Sequence, residues 1–176
     1  MKTIFNILSF YLGWFLAIYG ASVEKPLLGP VIIILLFIFH IYFIAEFRKQ
    51  EITFTLLATV LGSSLDSIPA YLNYIHFNSP SPSIGVYPIW MAALWVGFST
   101  TFSISLKWMQ SRYLIGFIFG AIGAPLSYIS AEKLSALQIT GPRMELFILQ
   151  GFLWGVIMVL LLLAHHIVLS SITKLD

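Results

Sequence analysis

The chain has 176 residues, of which 59% are hydrophobic and only 9% are charged. A soluble domain carries about 25% charged residues, so this composition excludes an ordinary water-soluble fold. The formal net charge of +2 gives no support to nucleic-acid binding. The chain contains no cysteine, which excludes a disulfide framework, a thiol nucleophile and a thiolate metal site. Together these features indicate an integral membrane protein.

Six apolar segments predict the transmembrane helices, because a spanning helix needs about 20 apolar residues and bonds its backbone internally. The segments run over roughly 4–22, 27–46, 52–75, 88–106, 113–131 and 146–168. The separators are short and polar, and the longest extends from Asn78 to Ser83. The first segment is longer than the apolar part of a signal peptide, so we expect an uncleaved span. The predicted fold is therefore an all-α bundle of six transmembrane helices, forming a single domain over 1–176.

The basic residues predict the orientation of the chain in the membrane. With a cytoplasmic N-terminus, six basic residues fall in the inner segments and three in the outer ones. Cytoplasmic segments are enriched in lysine and arginine, so we expect both termini in the cytoplasm. The inner set is Lys2, Arg48, Lys49, Lys107, Arg112 and Lys174, and the outer set is Lys25, Lys133 and Arg143.

Small residues four positions apart predict close helix packing. Gly116 and Gly120 show this spacing on the fifth span, and Gly151 and Gly155 show it on the sixth. Such rows let helix backbones approach each other in lipid. We expect contacts within the chain, with a homo-oligomer or a partner membrane protein as the alternative.

Asp66 is the strongest candidate for a functional residue. A charged side chain inside a span is costly in lipid, so it should face protein or water. Residues at helical spacing around it form one polar stripe on an otherwise apolar helix. Pro69 follows and should interrupt the helix there. The stripe consists of Thr55, Thr59, Ser63, Asp66, Ser67 and Ala70.

A second irregularity is predicted in the fifth span, where Pro125 follows Gly120 and Gly123 and should break or bend the helix. In the expected orientation this break lies in the outer half of the membrane, as Asp66 does. We therefore predict a cavity that opens outward, with Asp66 at its floor. Its predicted ligand-binding residues are Asp66, Ser63, Ser67, Trp90 at the entrance, Ser127 and Tyr128 in the facing wall, and Arg143 as the nearby cation. The alternative is a buried structural carboxyl beside a proline that only shapes packing.

No common catalytic or metal motif occurs. There is no His-Glu-x-x-His pair, no aspartate-rich diphosphate motif, no Gly-x-Ser-x-Gly and no phosphate loop. We expect no metal site and no cofactor.

Five short stretches of the sequence are distinctive: Leu12 to Phe15, Leu61 to Ser67, Pro88 to Trp95, Ser105 to Trp108 and Gly120 to Tyr128. They resemble the bacterial membrane family known as domain of unknown function 2878. The resemblance covers nearly the whole chain, although Ala124 stands where family members often have glycine before the proline. It implies a bacterial inner-membrane protein without an assigned activity, in a family whose genes tend to lie near enzymes that modify unsaturated fatty acids.

Three functions are compatible with these features. The first is a protein that binds a small amphipathic or lipid-like ligand around Asp66, with membrane lipids as its partners. The second is the substrate-binding subunit of an uptake transporter, which rests on similar size and layout alone. The third is a membrane-embedded lipid-modifying enzyme that uses Asp66 as acid or base, assisted by Tyr128 or Arg143. The first is favoured because it requires the fewest assumptions.

Overall fold

A computed structural model describes residues 1–78, 82–85 and 87–170, apart from the side chain of Ser170. Ser79, Pro80 and Ser81 of the predicted loop, and the basic Lys174, lie outside these residues. The described chain is all-α, as predicted. Its helices are α1 (Lys2–Ser22), α2 (Leu28–Phe43), α3 (Arg48–Asp66), α4 (Ile68–Tyr71), α5 (Ile89–Phe102), α6 (Tyr113–Lys133) and α7 (Arg143–Ser170).

Four helical stretches are long and apolar enough to cross a membrane. The helices α2 and α5 are apolar but shorter, with 16 and 14 residues. At 1.5 Å per residue they extend about 24 Å and about 21 Å, less than a full hydrocarbon core. The described helices therefore fit a membrane protein. The four long stretches are Lys2–Ser22, Arg48–Tyr71 (α3 and α4 together), Tyr113–Lys133 and Arg143–Leu169.

The two ends of the bundle differ in structure. At one end, four short strands form two antiparallel pairs, so we name it the sheet end. His76 of the first strand pairs with Gln138 of the fourth, which ties the segment after α4 to the segment after α6. The strands are β1 (Ile75–Phe77), β2 (Ser83–Ile84), β3 (Tyr87–Pro88) and β4 (Leu137–Ile139), with β1 paired to β4 and β2 to β3.

The opposite end gathers the start of α1, the end of α2, the start of α3 and the ends of α5 and α7 around one cavity. We name it the basic end, because the described members of the predicted inner set lie in these segments or at the start of α6. They are Lys2, Arg48, Lys49, Lys107 and Arg112.

The two prolines behave differently from each other. The predicted interruption at Pro69 is confirmed, because α3 ends at Asp66 and Pro69 lies in the first turn of α4. The helix α6 continues through Pro125, so the predicted break is wrong, whereas the bend stays a prediction. The Ala121 carbonyl, which would otherwise bond to the amide at position 125, faces Gly151 of α7. Close packing by a neighbouring helix lets a proline remain inside a membrane helix.

Small residues bring α6 and α7 together, as predicted for packing within the chain. A Cβ atom added to Gly120 would lie 2.3 Å from the carbonyl oxygen of Trp154. One added to Gly155 would lie 2.6 Å from the Phe117 ring. A glycine also allows α1 and α2 to pack closely, since a Cβ added to Gly29 would lie 2.2 Å from the Cα of Ala17. Larger residues at these positions would push the helices apart.

We predict that Gly120→Ala destabilises the fold. The added methyl group meets the backbone of α7, and overpacking of this kind costs about 1–3 kcal/mol. Gly123→Ala on the same helix is the control, because nothing lies within 4 Å of its added Cβ. The measurement is thermal unfolding of the purified protein in detergent. Equal melting temperatures for the two variants would contradict the close α6–α7 contact.

Candidate functional site

Asp66 is the last residue of α3, and its carboxylate is the centre of a buried hydrogen-bond cluster. The residue is only 5% exposed. The hydroxyl of Tyr128 donates to Oδ1 at 2.7 Å, and the indole Nε1 of Trp154 donates to the same oxygen at 3.0 Å. The hydroxyl of Tyr87 donates to Oδ2 at 2.8 Å. These donors come from α6, α7 and β3, so the carboxylate joins four segments of the chain.

The three donors explain how a carboxylate can be buried here. Moving a charged or polar group out of water is costly unless hydrogen bonds replace its hydration. Both oxygens of Asp66 accept bonds, and within the described residues no basic side chain forms an ion pair with it. The predicted inward orientation of Asp66 and its contact with Tyr128 are confirmed. Neither the cavity lined by Asn6 and Trp14 nor the one at the basic end is lined by Asp66, so the cavity that opens outward from it stays a prediction, as does its role in binding a ligand.

The other predicted residues of α3 and α6 divide into two groups. The Oγ of Ser63 is covered by protein, lies beside the Tyr87 hydroxyl and has no hydrogen-bond partner. In contrast, Ser67 donates to the carbonyl of Ser64 on the exposed side of the helix. Ser127 accepts a hydrogen bond from Trp14 Nε1 at 3.2 Å, so it faces α1. Of these three serines, the structure thus brings only Ser63 to the cluster.

Trp90 and Arg143 do not occupy the positions predicted for them. Trp90 is 2% exposed and packs edge-to-face against Phe77 in the core, so it does not guard an entrance. Arg143 binds both carboxylate oxygens of Glu132, at 2.8 and 2.9 Å, in place of Asp66. This pair closes the turn between α6 and α7 at the sheet end. In this bidentate ion pair the Arg143 guanidinium has its hydrogen-bond partners at the surface, so it avoids the desolvation cost of entering the bundle.

Three residues near Asp66 were not predicted from the sequence. Tyr87 lies on a strand of two residues, too short to show a periodic pattern. Trp154 lies in the middle of an apolar run, with no polar neighbour in sequence to mark it as a donor. Gln150 is a lone amide within the same run, one turn before Trp154, and that was the available signal. Its side chain is 1% exposed, lies beside the Tyr128 hydroxyl, and leaves its amide oxygen without a partner among the described residues.

The indole rings of Trp95 and Trp154 stack against each other beside Asp66. The rings of Trp95 and Trp154 are parallel within 27°, with centroids 4.6 Å apart. Gly62, one turn before Asp66, lets α3 approach the Trp95 ring, because an added Cβ would lie 2.2 Å from it. Trp154 is therefore held in place to donate to Asp66.

We define the Asp66 cluster as Asp66, Tyr87, Tyr128, Trp154, Ser63 and Gln150. It can accept hydrogen bonds, donate them and exchange a proton, and its possible nucleophiles are the Asp66 carboxylate and the hydroxyl groups. Among the described residues, no group of three or more histidine, cysteine, aspartate or glutamate side chains is arranged to hold a metal ion.

Long apolar helices around a buried, hydrogen-bonded carboxylate define the class of protein: a helical membrane protein with a polar site inside the bundle. The chain belongs to the family described as "Protein of unknown function (DUF2878)", whose model matches residues 3–160. The match confirms the resemblance and includes every residue of the Asp66 cluster. No curated protein and no solved structure matches the chain.

We predict that Tyr87→Phe and Tyr128→Phe each destabilise the fold. Each change removes one donor from a buried carboxylate, which costs about 1–3 kcal/mol. Tyr71→Phe is the matched control, because Tyr71 lies near the same end and is 76% exposed. Chemical unfolding in detergent measures the difference. If both cluster variants unfold like Tyr71→Phe, the two hydrogen bonds to Asp66 contribute nothing to stability.

Proposed function

We propose that the protein is a six-span protein of the bacterial inner membrane that binds the polar head of a small amphipathic or lipid-like ligand at the Asp66 cluster. The carrying observation is the amide of Gln150, which is buried beside the Tyr128 hydroxyl and leaves its oxygen without a partner among the described residues. Buried amide groups in proteins are nearly always hydrogen-bonded, so an unsatisfied one inside a polar cluster marks a place where another group binds. The hydroxyl of Ser63, which lies beside Tyr87, is a second polar group covered by protein in this cluster.

The chemistry of the cluster favours one class of head group. Its members are a carboxylate, hydroxyls and an amide, and no described basic side chain contacts Asp66. A phosphate or carboxylate head would place like charges together without a cation between them. A head group with hydrogen-bond donors, such as a hydroxyl or an amine, complements the carboxylate and the amide oxygen.

The surface around the cluster favours an apolar tail on the ligand. The neighbouring turns of α6 and α7 expose large apolar side chains, as expected where a bundle meets lipid. A ligand with its head at Gln150 would lay its tail along these helices. The exposed side chains are Ile122, Leu126, Ile148 and Phe152.

The six-span layout is supported by the way the shorter helices are placed. Both α2 and α5 pack against α1 and α3, and α2 keeps one large apolar face exposed, as a helix in contact with lipid would. Most of α5 is buried, so it is covered by neighbouring helices more than by lipid. A helix surrounded by protein can be shorter than the hydrocarbon core. The excess of basic residues then puts the basic end in the cytoplasm and the Asp66 cluster in the outer half.

Cysteine labelling tests this topology. The chain has no cysteine of its own, so single introduced cysteines give unambiguous signals. In intact cells, we expect Lys25→Cys and Lys133→Cys to react with a membrane-impermeant maleimide. Lys49→Cys and Arg112→Cys should react only after the cells are opened. Labelling of Lys49→Cys and Lys25→Cys from the same side would mean that α2 does not cross.

A second candidate is a membrane-embedded enzyme that acts on a lipid. The observation in its favour is the 2.7 Å contact between the Tyr128 hydroxyl and Asp66, a distance at which protons pass between an acid and a base. Tyr128 would be the residue that assists Asp66, because Arg143 is held by Glu132. This candidate requires that the bound ligand be converted to a product.

Native mass spectrometry of the purified protein tests the binding function. We expect a lipid-like species to remain on the wild type after detergent washing. It should be lost from Asp66→Asn and from Gln150→Leu, because each removes a polar contact to the head group. Tyr71→Phe is the control and should retain it. A species of changed mass after incubation with the released ligand would favour the enzyme.

Retention of the same species by all four proteins would contradict binding at the Asp66 cluster. A far-ultraviolet spectrum and a melting curve on each variant show that any loss does not come from unfolding. The amide of Asp66→Asn has nearly the same volume as the carboxylate, so its fold should be the least disturbed.

A further inference from the structure

The polar stripe of α3 extends along the whole helix and has a buried acidic residue at each end. Glu51 lies in the first turn and Asp66 is the last residue, and both are buried. They are fifteen residues apart, which corresponds to about 22 Å along a helix. The stripe is Glu51, Thr55, Thr59, Ser63 and Asp66, with spacings of four, four, four and three residues that keep all five on one face.

Glu51 has access to the basic end. Its Oε2 lies 3.3 Å from Nε2 of His40 on α2, and both side chains are buried. Both also line a cavity of about 300 Å³. The charged and titratable side chains around this cavity are Lys2, Glu46, Lys107 and His165. A cavity of this size with a polar lining holds several water molecules, so water at the basic end reaches Glu51.

The middle of the stripe contains hydroxyl groups turned into the bundle. The Oγ1 of Thr55 lies 2.7 Å from the Oγ of Ser99 on α5. The hydroxyl oxygens of Thr59 and Ser63 are covered by protein and bond to no carbonyl of the described chain, and Ser63 lies beside the Tyr87 hydroxyl. Hydroxyls one turn apart on a helix are separated by about 6 Å, so a proton passes between them when a water molecule enters the gap.

We propose that this stripe is a proton path that connects the basic-end cavity to Asp66. A proton from cavity water is taken up at the His40–Glu51 pair. Each hydroxyl or bridging water then accepts a proton on one side and releases its own on the other. The net result is one proton lost from the cavity and one gained by the Asp66 carboxylate, and no other group changes its charge. Intramembrane carboxylates with histidine and hydroxyl partners are the usual elements of such relays.

The path ends at Asp66. On the far side of the carboxylate, the hydroxyls of Tyr87 and Tyr128 donate to it, while Trp154 donates from the stacked pair of indoles. The two tyrosines are the titratable groups that contact it, and α3 and α7 present no charged side chain there within the described residues. The structure thus supplies protons to Asp66 from one side of the membrane. The inference goes beyond ligand binding and does not depend on it.

The rate at which Asp66 gains a proton tests the path. Infrared difference spectroscopy after a rapid drop in pH, or after transfer to deuterated water if Asp66 is already protonated, follows its carboxyl band. The band is assigned by its absence in Asp66→Asn. We expect Thr59→Val and Ser63→Ala to slow the change by about tenfold or more, because each removes a hydrogen-bonding step from the relay. Glu51→Gln should also slow it.

Matched controls lie on the same helix. Thr53→Val and Ser64→Ala remove hydroxyls from the exposed face of α3, and both should react at the wild-type rate. Wild-type rates in Thr59→Val and Ser63→Ala would overturn the path, and so would an Asp66 carboxyl that neither gains a proton nor exchanges one. Ligand retention by Thr59→Val separates the two proposals, since this variant should bind normally even though its proton transfer is slow.

Discussion

The buried carboxylate of Asp66 is the interaction on which the rest of this structure depends. A carboxylate inside an apolar bundle is tolerated only when its oxygens are hydrogen-bonded, and here the donors come from β3, α6 and α7. The demand for these donors explains two features that otherwise have no connection. The indoles of Trp95 and Trp154 stack so that Trp154 reaches Asp66, and Gly62 lets α3 approach the Trp95 ring.

No described basic residue at the sheet end contacts the Asp66 cluster. Arg143, the nearest candidate, is paired with Glu132 in the turn between α6 and α7. Asp66 is therefore balanced by neutral donors, and it can gain or lose a proton without breaking an ion pair. At the basic end, in contrast, Glu51 is paired with His40 and lies beside a polar cavity. The two ends of α3 thus differ in how their carboxylates are stabilised, which suits entry of protons at one end and their use at the other.

Local patterns in the sequence were sufficient for some of these features. Helical spacing predicted that Asp66 faces inward, and the missing amide of Pro69 predicted the end of α3. The glycine rows predicted the close packing of α6 and α7. These predictions succeeded because each depends on residues within one or two helical turns, or on a chemical property that any fold must respect.

Features that depend on distant parts of the chain were not predicted. Tyr87 reaches Asp66 from a strand of two residues, and nothing local marks it as a donor. The helix α6 continues through Pro125 because α7 packs against the freed carbonyl, which is a property of the pair of helices. Arg143 was expected at Asp66, but Glu132 offers it a carboxylate at the surface. Arg143 pairs with Glu132 and not with Asp66 because burying the guanidinium would cost more than leaving it at the surface. Residue spacing in the sequence gives no information about that cost.

The lipid composition of cells tests the central claim, that the Asp66 cluster is the functional site, most directly. The measurement compares a deletion strain carrying the wild-type gene, the Asp66→Asn gene or an empty vector, with equal amounts of protein in the membrane. We expect deletion to change the profile of amphipathic membrane components, and we expect the wild type to restore it, whereas Asp66→Asn should not. Full restoration by Asp66→Asn would show that the carboxylate has only a structural role and that the Asp66 cluster is not the functional site.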